Sequence, residues 1–339
     1  MDNLSNFKDE KIGKMTNVGF EAFHWHLSNF LENNLEMKKA MLSKGIVGGS
    51  IKRFQNFLIN NETKPFIEDY YFDVIQNLSI WLEPDFYINM PIILPYSVRE
   101  RTSSYDRLKK NGKDNWGSAN RNGYVIDDNT DIKDYIRSSE IKNSRYYTKH
   151  KPYTGFIACH IWENTTENPK LFSFVPNLVW LPTPIAGLSD KSDSYFSRLL
   201  TELSCKMYNK CEMRADILSK ISKTIWKKLD VDLLGNSNIE RLDIKKLPFS
   251  KISLKEKRSK IIKNIERILL FINEIKSGKI TEAPPSKKLI HKRYLPTLIT
   301  LIRSNPSSIN EYHDWLIEYL YAIKENMKFQ KQKELELPT

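Results

Sequence analysis

Three observations predict a mixed α+β fold. Apolar residues recur at helical spacing near both ends of the chain, two short proline-broken apolar runs lie in its middle, and positive charge is massed beside those runs. The chain has 339 residues, enough for a substantial interior and for more than one structural region. The pattern divides it into an N-terminal helical region at 1–90, a central region at 91–215 and a C-terminal helical region at 216–339.

The N-terminal region is helical by periodicity. Phe20, Phe23, Leu27, Phe30, Leu31 and Leu35 repeat at intervals of three and four over 19–42, the stripe of an amphipathic helix. Gly45, Gly48, Gly49 and Ser50 form a connector to a second helical stretch through Phe54, Phe57 and Leu58. They match no phosphate-loop pattern. His24 and His26 are two apart on the first helix and point to different faces, so a shared metal is excluded and packing is expected. Three prolines between Trp81 and Pro95 then end the helical pattern.

Past residue 215 the helical period returns. Ser253 and Glu256 make a capping box in front of Leu254, Ile261, Ile265, Ile268, Ile272 and Ile275, and Gly278 closes that helix. Pro284 and Pro285 mark a linker, and Ser308 with Glu311 opens a last helix.

Charge narrows the function classes. The formal net charge is +12, which favours a polyanionic partner, nucleic acid being the commonest. No apolar span reaches 18 residues and the first 20 residues carry no signal core, so a cytoplasmic protein without a membrane role is expected. Cys159, Cys205 and Cys211 are too few and too irregular for a disulfide framework, which fits reduced thiols. Residues 99–124 and 137–153 together hold +8 of the net charge, with Tyr105, Trp116 and Tyr124 interleaved. Basic residues among aromatics suit contacts to phosphates and bases, and Arg107, Lys109, Lys110, Lys113, Arg121, Arg145, Lys149 and Lys151 are the candidate DNA-binding residues.

The basic stretches border residues 155–190. Residues 156–161, FIACHI, read as a strand ending near His160, and 171–181, LFSFVPNLVWL, as a second strand bent at Pro176. Thr183 then stands at an N-cap position with Pro184 as the first helical residue, and on that helix Ala186 and Asp190 would share a face. The polar points of this apolar segment are His160, Asn177 and Asp190. A neutral imidazole can take a proton from water, an amide can orient the imidazole, and a carboxylate can hold a cation against a phosphate, so the three suit phosphodiester hydrolysis.

Strand, loop, strand and helix with these residues resemble the HNH, or ββα-metal, endonucleases over about 36 residues of the chain. The resemblance implies a central ββα-metal nuclease module flanked by helical regions, with His160 in CHIW as general base and Asn177 in PNLVWLP as its orienter. It implies a metal ligand at Asp190, thirteen residues after Asn177, since the position nine residues on is Ala186. Where the family has an acid or histidine before the base, this chain has Cys159, a second candidate ligand that would favour a softer ion. Either Cys159 is a ligand, or it is packed and the ion leans on Asp190 with help from Glu163. The implied cofactor is a divalent cation, Mg²⁺ with Mn²⁺ or Zn²⁺ as alternatives. The implied activity is hydrolysis of double-stranded DNA by a restriction-type enzyme, with a homodimer as its assembly.

Two rival readings have residues behind them. Asp128, Glu140 and Lys142 are spaced for a PD-(D/E)XK nuclease, although acid-x-Lys also occurs at Glu36 with Lys38 and at Glu274 with Lys276. Cys159 leaves room for a nucleic-acid-binding protein that keeps the nuclease scaffold without catalysis.

Overall fold

A computed structural model describes residues 18–46, 50–100, 115–127, 129–137, 140–143, 154–191, 194–213, 215–229, 238–283, 291–304 and 306–336. In it the first apolar-periodic stretch forms two helices, α1 (Val18–Asn33) and α2 (Leu35–Ser43). The break comes at Asn34, whose side chain accepts from the Met37 N–H at 3.0 Å and caps a new helix. Ser50 caps α3 (Ile51–Asn60) in the same way through Arg53 N, and Pro65 opens α4 (Pro65–Leu78).

The central region contributes short strands and small helices: β1 (Trp81–Leu82), α5 (Pro84–Asn89), β2 (Ser97–Val98), β3 (Val125–Ile126), α6 (Thr130–Arg137) and β4 (Glu140–Lys142). The 155–190 segment supplies β5 (Phe156–His160), β6 (Leu178–Pro182) and the four-residue α7 (Thr183–Ala186). Then come α8 (Tyr195–Tyr208), α9 (Asp216–Lys228), β7 (Phe249–Lys251), α10 (Leu254–Lys276), α11 (Tyr294–Ser304) and α12 (Ser308–Glu336). The capped start at Ser253 falls where the residues predict, its hydroxyl accepting from Glu256 N at 3.4 Å, while Ser308 is already the first residue of α12 and not the position before it.

The sheets are small. β7 lies between β1, parallel, and β4, antiparallel; β2 and β3 pair parallel; β5 and β6 form an antiparallel pair from Phe156 opposite Pro182 to His160 opposite Leu178. A bridge between Ile80 and Trp180 joins the β5–β6 pair to the end of α4. The mixed α+β class is therefore observed, with helices dominant.

Buried apolar residues from Val18 to Ile323 form one contiguous cluster, so the three regions share an interior. Buried polar tips lock the helices onto the centre: Tyr319 donates to the Ile92 carbonyl at 2.6 Å, Trp315 to Pro95 O at 2.9 Å, and Tyr208 to Leu82 O at 2.6 Å. Among the described residues no helix is long and apolar enough to cross a membrane.

One close approach seats β5. Gly19 N donates to Thr154 O at 3.0 Å, and a Cβ at Gly19 would lie 2.1 Å from the Gly155 carbonyl oxygen. Gly155 itself has φ +73°, a conformation that favours glycine. The N-terminus of α1 thus rests directly on the backbone that leads into the candidate strand.

Candidate functional site

The two expected strands do pair, with different limits. β5 ends at His160, while 171–177 is a turn followed by a 3₁₀ segment at Val175–Asn177, and β6 begins only at Leu178. Pro176 cannot donate to a ladder, which is why the strand starts after it. The helix is also shorter than expected. Pro182 takes the N-cap position, the Thr183 hydroxyl donates to Gly155 O at 3.0 Å instead of capping, and α7 stops at Ala186. Asp190 therefore follows the helix in a turn, and no helical face carries it with Ala186.

Adjacent strand residues point to opposite faces, so Cys159 and His160 separate. Cys159 is buried against the α7 side, its thiol directed at the carbonyls of Ala186 (3.9 Å) and Ile157 (3.6 Å). Burial first, and the Asp190 carboxylate second, push its pKa up to about 12 against a hydrogen bond with Ser189. Without a metal, the thiol is packed against those two carbonyls.

His160 is half-buried and stacks on Phe172, ring centroids 5.4 Å apart and planes 23° apart. Its Nε2 lies 2.9 Å from the Phe172 carbonyl oxygen. A carbonyl only accepts, so Nε2 carries the hydrogen and Nδ1 keeps the lone pair of the neutral ring. Burial lowers the imidazole pKa to about 4, assisted by the Arg99 guanidinium and opposed by the Phe172 carbonyl. At neutral pH His160 is an uncharged proton acceptor.

Asn177 is fully buried, and its amide does not reach the imidazole. Its oxygen accepts from Trp162 N at 3.0 Å, and its nitrogen donates to Thr165 Oγ1 and Leu171 O, both at 2.9 Å. These three bonds clip the loop 161–176 into shape. The orienter of His160 is the Phe172 carbonyl, which that loop presents, so Asn177 acts on the imidazole through the loop and not by contact.

Asp190 stands at the rim, its residue surface open to solvent. Desolvation of its carboxylate raises the pKa, while Arg99 and then Lys191 pull it down. His160, Cys159, Asp190, Glu163, Gln55 and Arg99 line one cleft of about 550 Å³, a volume typical of a ligand site. Arg99 is the residue that ties it together electrostatically, because its guanidinium acts on both His160 and Asp190. It follows β2, where its N–H donates to Thr166 O at 2.8 Å and fixes the strand end to the 161–176 loop. The signal for Arg99 in the sequence was its place at the exit of an apolar run and the entry of the first basic stretch.

The cation fits poorly. Among the described residues no three His, Cys, Asp or Glu side chains gather as a metal-binding group.

Of the candidate DNA contacts, Arg107, Lys109, Lys110, Lys113, Arg145, Lys149 and Lys151 lie outside the described residues, as does Asp128. Arg121 is exposed and lines a separate polar recess with Glu100, Asn120, Asn122 and Glu167. Glu140 and Lys142 sit on one solvent-facing side of β4, where Glu140 pairs with Lys251 at 2.9 Å and Lys142 with Glu83. No family model, curated protein or solved structure matches the chain.

Proposed function

We propose that the protein is a nucleic-acid phosphodiester hydrolase that binds the backbone of double-stranded DNA in the His160 cleft. The observation that carries this reading is Arg99, a guanidinium in the same cleft as a neutral imidazole with a free lone pair and a carboxylate at the rim. A guanidinium matches the geometry of phosphate oxygens and balances their charge. The +12 chain charge, concentrated in stretches that follow Arg99 and precede β5 in the sequence, supports a polyanionic substrate.

The residues would act together as follows. His160 Nδ1 takes a proton from water, the resulting hydroxide attacks phosphorus, and the bond to the leaving oxygen breaks. That oxygen recovers a proton from water, and the proton taken up by His160 returns to solvent. Without ligand, Arg99 weakens His160 as a base. A phosphate paired with the guanidinium offsets that effect, so substrate binding itself strengthens the base.

Restriction-type specificity, a homodimer and action in the cytoplasm extend the same proposal. The test is incubation of the full chain and its His160→Ala and Arg99→Ala variants with plasmid, in chelator and in Mg²⁺, Mn²⁺ or Zn²⁺. Cleavage by the parent alone supports hydrolysis, and the chelator arm decides whether a divalent cation takes part.

A second reading, nucleic-acid binding without catalysis, is favoured by Cys159 and Asn177, both held in structural roles. Retention of plasmid by the parent with no cut in any arm would establish it.

A further inference from the structure

A row of lysines runs along the outer face of α9. Lys220, Lys223, Lys227 and Lys228 are all exposed, and at about 100° per residue they cover roughly 140° of the helix circumference. Asp216, in the first turn, is the one acid of this helix. Among the described residues none of the four has an ion pair, whereas Lys142, Lys206, Lys246, Lys251 and Lys324 each meet a carboxylate. The opposite face is locked inside the protein. Leu218, Ile221 and Ile225 are buried there, Trp226 Nε1 donates to the Tyr87 hydroxyl at 2.8 Å, and Ser222 bonds the same hydroxyl. The ammonium groups thus stand outward from a fixed rod.

One side of the row closes onto a small recess. Lys220, Thr224 and Lys228 face Lys170, Trp315 and Glu318 across about 90 Å³, three ammonium groups against one carboxylate. That space is about three waters' share of the liquid, on the scale of one phosphate group. The Thr224 hydroxyl donates to Lys220 O at 2.8 Å, so the lysines are the donors left to an anion. Lys170 Nζ lies 4.4 Å from the Trp315 ring centroid, a cation–π contact that fixes its direction. Lys170 belongs to the 161–176 loop, whose residues Trp162, Glu163 and Thr166 line the His160 cleft. Trp162 in turn meets Trp226 of α9 edge to face at 5.8 Å, so the helix that carries the row is packed against the wall of that cleft.

We propose that this face of α9, with Lys170, seats the phosphate backbone of a DNA duplex; the inference rests on the nucleic-acid reading above and adds the surface by which the duplex is held. From Lys220 to Lys228 the helix advances about 12 Å. A duplex strand passes about three to four phosphates over that distance, so the lysines meet a comparable number of anions. Ammonium groups on flexible stems carry no base information, and the contact positions DNA without reading its sequence. An anionic lipid surface is the poorer match because of what the face lacks. Helices that lie on membranes set Trp, Phe or Leu beside their lysines, and no large apolar side chain is exposed on α9.

The test is the salt dependence of binding. A short blunt duplex is titrated against the full chain by fluorescence anisotropy over a series of salt concentrations, and a gel confirms that it stays intact. One variant combines Lys220→Gln, Lys223→Gln, Lys227→Gln and Lys228→Gln. A control removes four exposed charges around α2 instead, by Lys38→Gln, Lys39→Gln, Lys44→Gln and Lys64→Gln. Each lost lysine–phosphate contact takes about 0.9 from the slope of log K against log salt, so the α9 variant should lower the slope by about 2 to 4 and bind at least about tenfold more weakly. The control trims only the long-range field and should keep the slope within about one unit. Arginine at the same four α9 positions keeps the charge and should keep the parent's slope, which separates lost contacts from lost folding. Three results would overturn the inference: no saturable binding of the duplex by the parent, equal slopes for the α9 variant and the control, or phosphatidylserine vesicles that bind the parent and not the α9 variant while duplex binding is unchanged. A slope lost only in the α9 variant of a protein that cuts nothing would uphold the inference and remove only the hydrolase reading.

Discussion

His160 and His26 are the same side chain in opposite electrostatic settings. His160 is tied to a carbonyl, stacked on Phe172 and set beside a guanidinium, while His26 faces the carboxylate of Asp73. The first setting keeps an imidazole neutral and places a cation where an anion can bind. The second pairs the ring with an anion. A histidine's part in a molecule is thus set by the atom that meets its second nitrogen, and a one-dimensional pattern does not contain that atom.

The comparison breaks most visibly in the His160 cleft. His160→Ala should reduce plasmid cleavage at least about a hundredfold, the scale of a lost general base, while leaving DNA retention in a filter assay nearly intact. Arg99→Ala should reduce both. Equal cleavage by His160→Ala and parent would move the chemistry elsewhere.

Asn177→Ala sharpens the distinction between holding a loop and orienting a ring. Removal of three buried hydrogen bonds should cost about 3 kcal/mol in urea unfolding, together with a loss of activity. An orienter by contact would lose activity at unchanged stability.

The third effect is in pH. The folded-state pKa of His160 is depressed to about 4 from an ordinary 6.5, so between these values the unfolded chain binds the extra proton. Stability from this group is complete above about pH 6.5 and declines as the pH falls through 4, by at most about 3 kcal/mol. Denaturation of the parent and of His160→Phe over that interval should show a smaller slope in the variant. A parallel pair of curves would mean that the imidazole is as solvated folded as unfolded.

The smallest effect is expected on β4. Glu140→Gln removes an exposed pair with Lys251 and should change stability by less than about 1 kcal/mol and cleavage not at all. Loss of cleavage there would instead favour the alternative built on Asp128, Glu140 and Lys142.

Much of the scaffold could be read from residue order. The capped start at Ser253, the strand ending at His160 and the mixed class all follow from local rules that act within a few residues. The local misreadings are equally specific. Asn34 reads as a polar residue inside one helix and is a cap between two, because its side chain competes for a backbone N–H. The pattern at Thr183 promises a longer helix, yet its hydroxyl and its N–H are both engaged with Gly155, which holds the chain to the neighbouring strand instead.

What the sequence determined by itself was periodicity, punctuation and charge, since these depend on neighbours along the chain. Only the tertiary structure decided that Arg99 stands beside His160 and Asp190, that Asn177 grips a loop, that Cys159 is sealed, and that Asp73, 47 residues from His26, meets it at 3.0 Å. Desolvation and hydrogen-bond pairing are properties of the space around a group. That space is assembled from residues far apart in the chain, so it comes into existence only when the chain has folded.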